Sequence, residues 1–187
     1  MLLLPAVITH AEVPHVLRLF RQTLDQAAAQ GGTEAAMLTV ADPDFAARTH
    51  ASFSRQAAMA LLGAQMREVE AGRVLIALPY RTELTQQHGF FHGGITAAIA
   101  DSAGGYAAFT LFSPSDSVLT VEFKLNLIAP ADGECLYAEG RVKKPGRTLT
   151  VCELEVWAER AGRRKSCAVG LQTLMRIHDR PDIAEAG

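Results

Sequence analysis

The stretch HGFFHGGITAAIADSAGGYAA, residues 88–108, decides the fold. From Gly93 to Phe112 the chain carries one charge, Asp101, while four glycines and several alanines leave it too weakly hydrophobic for a bilayer, so it reads as a long buried helix opening at His92-Gly93-Gly94. With Asp101 at zero on a wheel of about 100° per residue, Gly94, Ala97, Ala98, Gly104, Gly105 and Ala108 fall within about 60° of it. All six are small. Ile95, Ile99 and Tyr106 fall on the opposite side, where a sheet can bury them. The helix is therefore expected to turn bulky residues to a core and to carry one carboxylate on a face that another backbone or a ligand can approach closely.

Downstream of the helix, every segment from Ser117 has strand character. Leu119, Val121, Phe123, Leu125 and Leu127 alternate with Thr120, Glu122, Lys124 and Asn126, which predicts a half-buried strand with one wet or functional face, closed by Pro130. Further strands are expected at about 134–144, 147–159 and 163–177, joined by turns at Pro145-Gly146 and Ala161-Gly162. Upstream, strands over 64–70 and 73–79 form a hairpin around Ala71-Gly72. Before them a helical pattern through Phe53, Ala57, Ala60 and Leu61 follows Asp42-Pro43-Asp44 and ends at Gly63 as C-cap. An amphipathic helix from Val13 to Ala29, built on Val16, Leu17, Phe20 and Leu24, stops at Gly31-Gly32. Two strands, a long helix and four successive strands without crossover helices demand an antiparallel sheet with the helix across one face, an α+β architecture. The expected organisation is a helical extension over 1–49, a main domain over 50–178 and a tail over 179–187.

Composition narrows the function classes. Of 187 residues 49% are hydrophobic and 20% charged, enough for one domain with an appendage, and the formal charge of -2 offers no positive field for nucleic acid or an acidic membrane. Cys135, Cys152 and Cys167 are odd in number and scattered, which suggests neither a disulfide framework nor a zinc site. The leading Met1-Leu2-Leu3-Leu4 lacks a basic residue ahead of it and is broken by Pro5, a poor signal peptide, so a cytoplasmic location is expected. No Walker or dinucleotide motif is present.

The chemistry is expected around the start of the long helix. At Gly93-Gly94, backbone N–H groups left free at the positive end of the dipole are suited to hold a developing oxyanion. Gly93 and Asp101 are eight positions apart, about 12 Å along one helix, so they cannot both touch one small electrophile. Acting together, they require the acid from a second subunit whose helix runs antiparallel, and a two-fold dimer then makes two composite sites. His92 reads either as a substrate contact or as a cap for the loop backbone. His88 and His92 are four apart, yet His88 falls in a loop and no third ligand is spaced nearby, so no metal is expected. Phe90 and Phe91 could line an acyl pocket or simply pack. Lys143, Lys144 and Arg147 flank one turn and Arg163, Arg164 and Lys165 the next, two basic tips available to phosphates.

The run HGFFHGGITAAIADSAGGYAA, in which an acid follows the second glycine of HGG by seven residues, resembles the hotdog-fold acyl-CoA thioesterases of the phenylacetate-pathway (PaaI) type over about residues 50–177. The resemblance implies a hotdog fold: an antiparallel sheet of about six strands wrapped around one central helix, in dimers commonly paired into tetramers. It also implies hydrolysis of acyl-CoA to a carboxylic acid and CoA, without metal or other cofactor. Asp101 matches the family's catalytic carboxylate, general base or nucleophile, and the Gly93 amide matches the donor that polarises the thioester carbonyl. Gln86 stands where the family has an asparagine or glutamine near the carbonyl or the attacking water. Thr120 stands near a serine or threonine that assists the carboxylate. His92, Gly94, Phe90, Phe91, Lys144 and Arg147 are the candidate substrate-binding residues. Two other readings remain beside hydrolysis: a hotdog dehydratase or hydratase using His92 with the carboxylate, and a non-catalytic acyl-thioester-binding module with the N-terminal extension as its partner contact.

Overall fold

The computed structural model describes residues 38–180 and Asp182, all within a unit running Leu38–Gly187. The helix read over Val13–Ala29 lies outside the described residues. Helices α1 (Phe45–Ser54) and α2 (Ala57–Leu62) precede the sheet, and Gly63 caps the second with φ of 76°. One continuous helix was the simpler expectation there; the chain instead breaks at Arg55-Gln56. Strands β1 (Gln65–Glu70) and β2 (Arg73–Pro79) form the expected hairpin around Gly72, whose φ of 73° allows the reversal. The long helix is α3 (Gly93–Phe109), followed by β3 (Ser117–Leu127), β4 (Cys135–Lys144), β5 (Leu149–Arg160) and β6 (Arg163–Ile177). The six strands form one antiparallel sheet in the order β1-β2-β4-β5-β6-β3, with α3 packed on one face, the arrangement of a hotdog fold.

The helix lies very close to the sheet because glycines meet at the crossing. A Cβ on Gly140 of β4 would come within 2.5 Å of Gly104 Cα and overlap the Ala103 carbonyl. A Cβ on Gly104 would come within 2.6 Å of Leu154 Cδ2 and overlap the side-chain amide of Gln172. The C-terminal half of the small-residue face is therefore covered by the chain's own sheet. Tyr106, expected to face that sheet, turns instead to α1, where its ring meets Phe53 edge-on at 5.8 Å and its hydroxyl lies 3.0 Å from Ser52 Oγ. Only the N-terminal part of the Asp101 face, with Ala97, Ala98 and Asp101 half-buried, stays open. The far end of α3 is secured by Arg48, which donates to the carbonyls of Phe109 at 3.3 Å and Phe112 at 2.7 Å and pairs with Asp42 at 2.7 Å.

The edge strand β3 departs from its sequence pattern. Thr120 pairs with Leu174, but the next pair is Glu122 with Thr173, so Val121 is an extra residue in a β-bulge. Opposed residues share a face, and Leu174 and Gln172 are fully buried, so Thr120, Phe123, Leu125 and Leu127 all turn toward the helix while Leu119 turns outward opposite Met175. The expected single alternation breaks at Val121. Along this edge Leu119, Val121, Phe123 and Leu127 are 54, 52, 41 and 59% exposed, so apolar side chains of β3 stand uncovered on both of its faces.

Candidate active site

The loop from β2 to α3 is pinned at several points and delivers one backbone amide to the surface. Its Gln86–Phe90 turn closes through Gln86 N–H to the Phe90 carbonyl at 2.9 Å, with Gly89 at φ of 80°. Phe91 N–H donates to the Ala131 carbonyl at 3.0 Å, and His92 N–H to the Leu84 carbonyl at 2.9 Å. The Phe91 ring is buried edge-on against Tyr80 at 5.6 Å, a packing role; Phe90 is half-buried. Next in line, His92 is the N-cap of α3, and its Nδ1 accepts the Gly94 N–H at 3.0 Å. Of the two amides expected to be free, the one on Gly94 is thus consumed by the cap, because the histidine ring folds back over the first turn. The Gly93 N–H has no acceptor among the described residues and sits at the positive end of a 17-residue helix. Leu127 Cδ1 lies 2.9 Å from where a Gly93 Cβ would be, so an exposed aliphatic side chain flanks this amide. Gln86, half-buried, uses its side-chain oxygen to accept the His88 N–H, which leaves its NH2 group as the end to offer a ligand.

Asp101, two turns further along α3, is held from below. Its Oδ1 accepts from the Thr120 hydroxyl at 2.7 Å and from Gln172 Nε2 at 2.6 Å. Gln172 Nε2 also reaches the Asp101 backbone carbonyl at 3.1 Å and Thr120 Oγ1 at 3.0 Å. Both groups on Oδ1 are donors, so Oδ1 is committed as an acceptor and Oδ2 is the oxygen left to take a proton. Gln172 is fully buried and its Oε1 has no hydrogen-bond partner, a defect worth about 1–3 kcal/mol. Sequence reasoning reached Thr120 but missed Gln172. The available signal was parity: Ala168, Gly170, Gln172 and Leu174 share the inner face of β6, and a glutamine among them is out of place.

The Gly93 amide and the Asp101 carboxylate do not meet within one chain. Gly93 and Asp101 both lie on α3, about 12 Å apart by helical rise. Lys144 and Arg147 are exposed at the β4–β5 turn; Arg147 lies five residues from Cys152, the partner of Gln172, or about 17 Å along a strand. Lys143 is tied to Glu153 at 2.9 Å, and Arg164 stacks 3.5 Å over Trp157 while pairing with Glu155 at 2.7 Å on the outer sheet face. Among the described residues no three His, Cys, Asp or Glu side chains gather as metal ligands, and no helix is long and apolar enough to cross a membrane.

The sequence profile of the thioesterase superfamily matches residues 88–164, the span from the turn before α3 to the start of β6. A thioesterase family protein from Silicibacter pomeroyi is 46% identical and superposes with a TM-score of 0.71 over 72% of this chain and 98% of its own. A candidate esterase of Saccharolobus solfataricus is 34% identical over 108 residues, 58% of this chain and 76% of that protein. The E. coli PaaI protein from the phenylacetic acid degradation operon shares the fold at a TM-score of 0.66 and 19% identity, covering 73% of this chain and 96% of its own.

Proposed function

This chain belongs to the thioesterase superfamily and is a thioester hydrolase, and from that premise we infer that it hydrolyses acyl-CoA, in the manner of the PaaI type, at sites built by two protomers. Each site takes the Gly93 amide from one protomer and Asp101 from the other. The observation that carries this reading is the placement of both groups on a single helix about 12 Å apart, too far to serve one carbonyl. The uncovered apolar edge of β3 and the open half of the Asp101 face are surfaces that a second copy related by two-fold symmetry would cover. Two such dimers would pair through the outer sheet face, where Leu149, Val169 and Leu171 are 50, 37 and 53% exposed.

In the proposed reaction the thioester carbonyl oxygen accepts the Gly93 N–H, and the Gln86 NH2 group orients the carbonyl or the water. Asp101 Oδ2 takes a proton as that water adds to the carbonyl carbon, and the negative charge that develops on oxygen falls at the helix N-terminus. Collapse of the tetrahedral species breaks the C–S bond; the CoA thiolate takes up the proton from Asp101, and the carboxylic acid departs. Phe90 and Leu127 border the acyl group, and Lys144 and Arg147 reach the CoA phosphates. A CoA thioester substrate is in keeping with the cytoplasmic location expected from the sequence. Dehydratase chemistry is disfavoured by His92, whose Nδ1 lone pair is spent on the Gly94 N–H and whose ring therefore cannot act as a base at that atom.

Release of free thiol from a panel of acyl-CoAs, by the native protein and by Asp101→Asn, tests the reading. Asparagine can present its carbonyl oxygen to Thr120 and Gln172, so the fold persists while kcat falls about 10²- to 10⁴-fold. No thiol release from any acyl-CoA, or a native rate in Asp101→Asn, would refute it. A single turnover in ¹⁸O-water tests for carboxylate attack: unlabelled acid in the first turnover, with the label left in Asp101, marks an anhydride opened at the Asp101 carbon and would overturn the base role.

A further inference from the structure

We propose that Gln172 is a positioning residue for the hydrolysis: from beneath α3 it clamps Oδ1 of Asp101 and so aims Oδ2 at the reacting water. This rests on Asp101 acting as the base.

The geometry is specific to that task. Gln172 stands on the inner face of β6, fully buried, and spends its amide nitrogen on the Asp101 carboxylate, the Asp101 carbonyl and Thr120 Oγ1, at 2.6, 3.1 and 3.0 Å. One N–H bridges the carboxylate to its own backbone and fixes the side-chain torsions. The other fills a lone pair of the Thr120 hydroxyl, which directs that hydroxyl's own proton to Oδ1 at 2.7 Å. Donors from two strands thereby triangulate one oxygen. The reverse orientation of the amide is ruled out chemically, since it would set Oε1 against a carboxylate oxygen. The chosen orientation leaves Oε1 buried without a partner, lodged where Gly104 lacks a Cβ. A residue selected for packing alone gains nothing from that orphaned carbonyl, and an apolar side chain of equal size would avoid it. The inner faces of the packed strands near this point carry Cys152 as a titratable group, which burial keeps a neutral thiol; Phe123, Leu154 and Leu174 complete the surroundings.

The test is Gln172→Met, close in volume and unable to donate, made in the native and the Asp101→Asn backgrounds and assayed by thiol release with thermal melting alongside. In the native background kcat should fall about 10- to 100-fold with KM within about threefold. In the Asp101→Asn background the same change should alter the residual rate by less than about twofold, because the group it acts through is gone. A native kcat in Gln172→Met, or an equal fractional loss in both backgrounds, would overturn the inference. If the methionine variant does not fold, Gln172→Leu, which is smaller and likewise unable to donate, is read the same way. A fully active Asp101→Asn defeats the base reading itself, whereas an inactive Asp101→Asn beside a fully active Gln172→Met defeats this inference alone.

Discussion

Proline at position 93 would delete the proposed oxyanion donor and little else. Gly93 is the first residue of α3 behind its N-cap, where an N–H has no intrahelical acceptor and proline's φ near about -65° suits the helix. The preceding His92 already has φ of -65° and ψ of 139°, the extended conformation that a residue before proline requires. Leu127 Cδ1, 2.9 Å from the Cβ position, belongs to a side chain 59% exposed and free to swing aside. Stability should therefore change by no more than about 1 kcal/mol. Losing one such donor raises the barrier by about 2.7–4 kcal/mol, or about 10²- to 10³-fold in kcat. The sharper experiment mixes this variant with Asp101→Asn. A chain with Gly93→Pro keeps its own Asp101, and a chain with Asp101→Asn keeps its own Gly93, so each mixed dimer holds one composite site with both groups intact and one with neither. After complete subunit exchange at equal amounts, half the dimers are mixed, and thiol release should recover to about a quarter of the native rate per mole of protein. A mixture no more active than the mean of its two parents would show that amide and acid act within one chain, and the composite site would be lost.

Other consequences are independent of that site. Burial alone would raise the pKa of Asp116, but hydrogen bonds from Arg176 and the Asp179 N–H, with the charges of Arg176 and His178, outweigh it and hold the carboxyl below the usual range. Its contribution is thus fully present above about pH 4 and fades as pH falls through the lower folded-state value. Asp116→Asn should cost about 3 kcal/mol in urea unfolding at neutral pH and progressively less below about pH 4; a pH-independent cost would contradict the pairing. Burial pushes the thiols of Cys152 and Cys167 up to about 12 and about 11, so a chromogenic disulfide reagent at pH near 8 should reach neither until the chain unfolds, and rapid titration of all three cysteines in the native protein would contradict this. Gly140→Ala forces a methyl group onto helix backbone that cannot rotate away, so the urea midpoint should drop by the equivalent of about 1–3 kcal/mol at an unchanged slope; an unmoved midpoint would mean that the helix stands further from the sheet.

Local chemistry made much of this molecule legible before any coordinates. Gly63 and Gly72 were marked by their own conformational needs, and Ala161-Gly162, at φ of 49° and 73°, makes the tight turn between β5 and β6 that the sequence announces. Reading failed where the deciding partner lies far along the chain. A helical wheel finds a small-residue face but not its neighbour, and Gly140, 36 positions beyond Gly104, is what turns the C-terminal half of that face onto the sheet. The same wheel set Tyr106 against strands because it had no knowledge of Phe53 and Ser52 on α1. Gly94 was expected to offer its amide because glycine spacing says nothing about where a neighbouring imidazole will fold. Gln172 becomes conspicuous only once β6 is paired and its inner parity is known.

The bulge at Val121 shows why the candidate site resists reading by alternation. Leu119-Thr120-Val121-Glu122-Phe123-Lys124-Leu125 alternates without a fault, and an unbroken strand would carry Thr120 on the same face as Glu122 and Lys124, turned away from α3. One unpaired residue reverses that parity on its N-terminal side only. Thr120 then shares the inner face with Phe123 and Leu125, close enough to place its hydroxyl 2.7 Å from Asp101 Oδ1, and Leu119 moves outside. The pattern that specifies the strand therefore conceals the local defect that brings a polar group to the carboxylate. The bulge adds twist and strips one pairing from an edge strand, and the Thr120–Asp101–Gln172 contacts form across it, which ties the shape of β3 to the carboxylate on the helix above it.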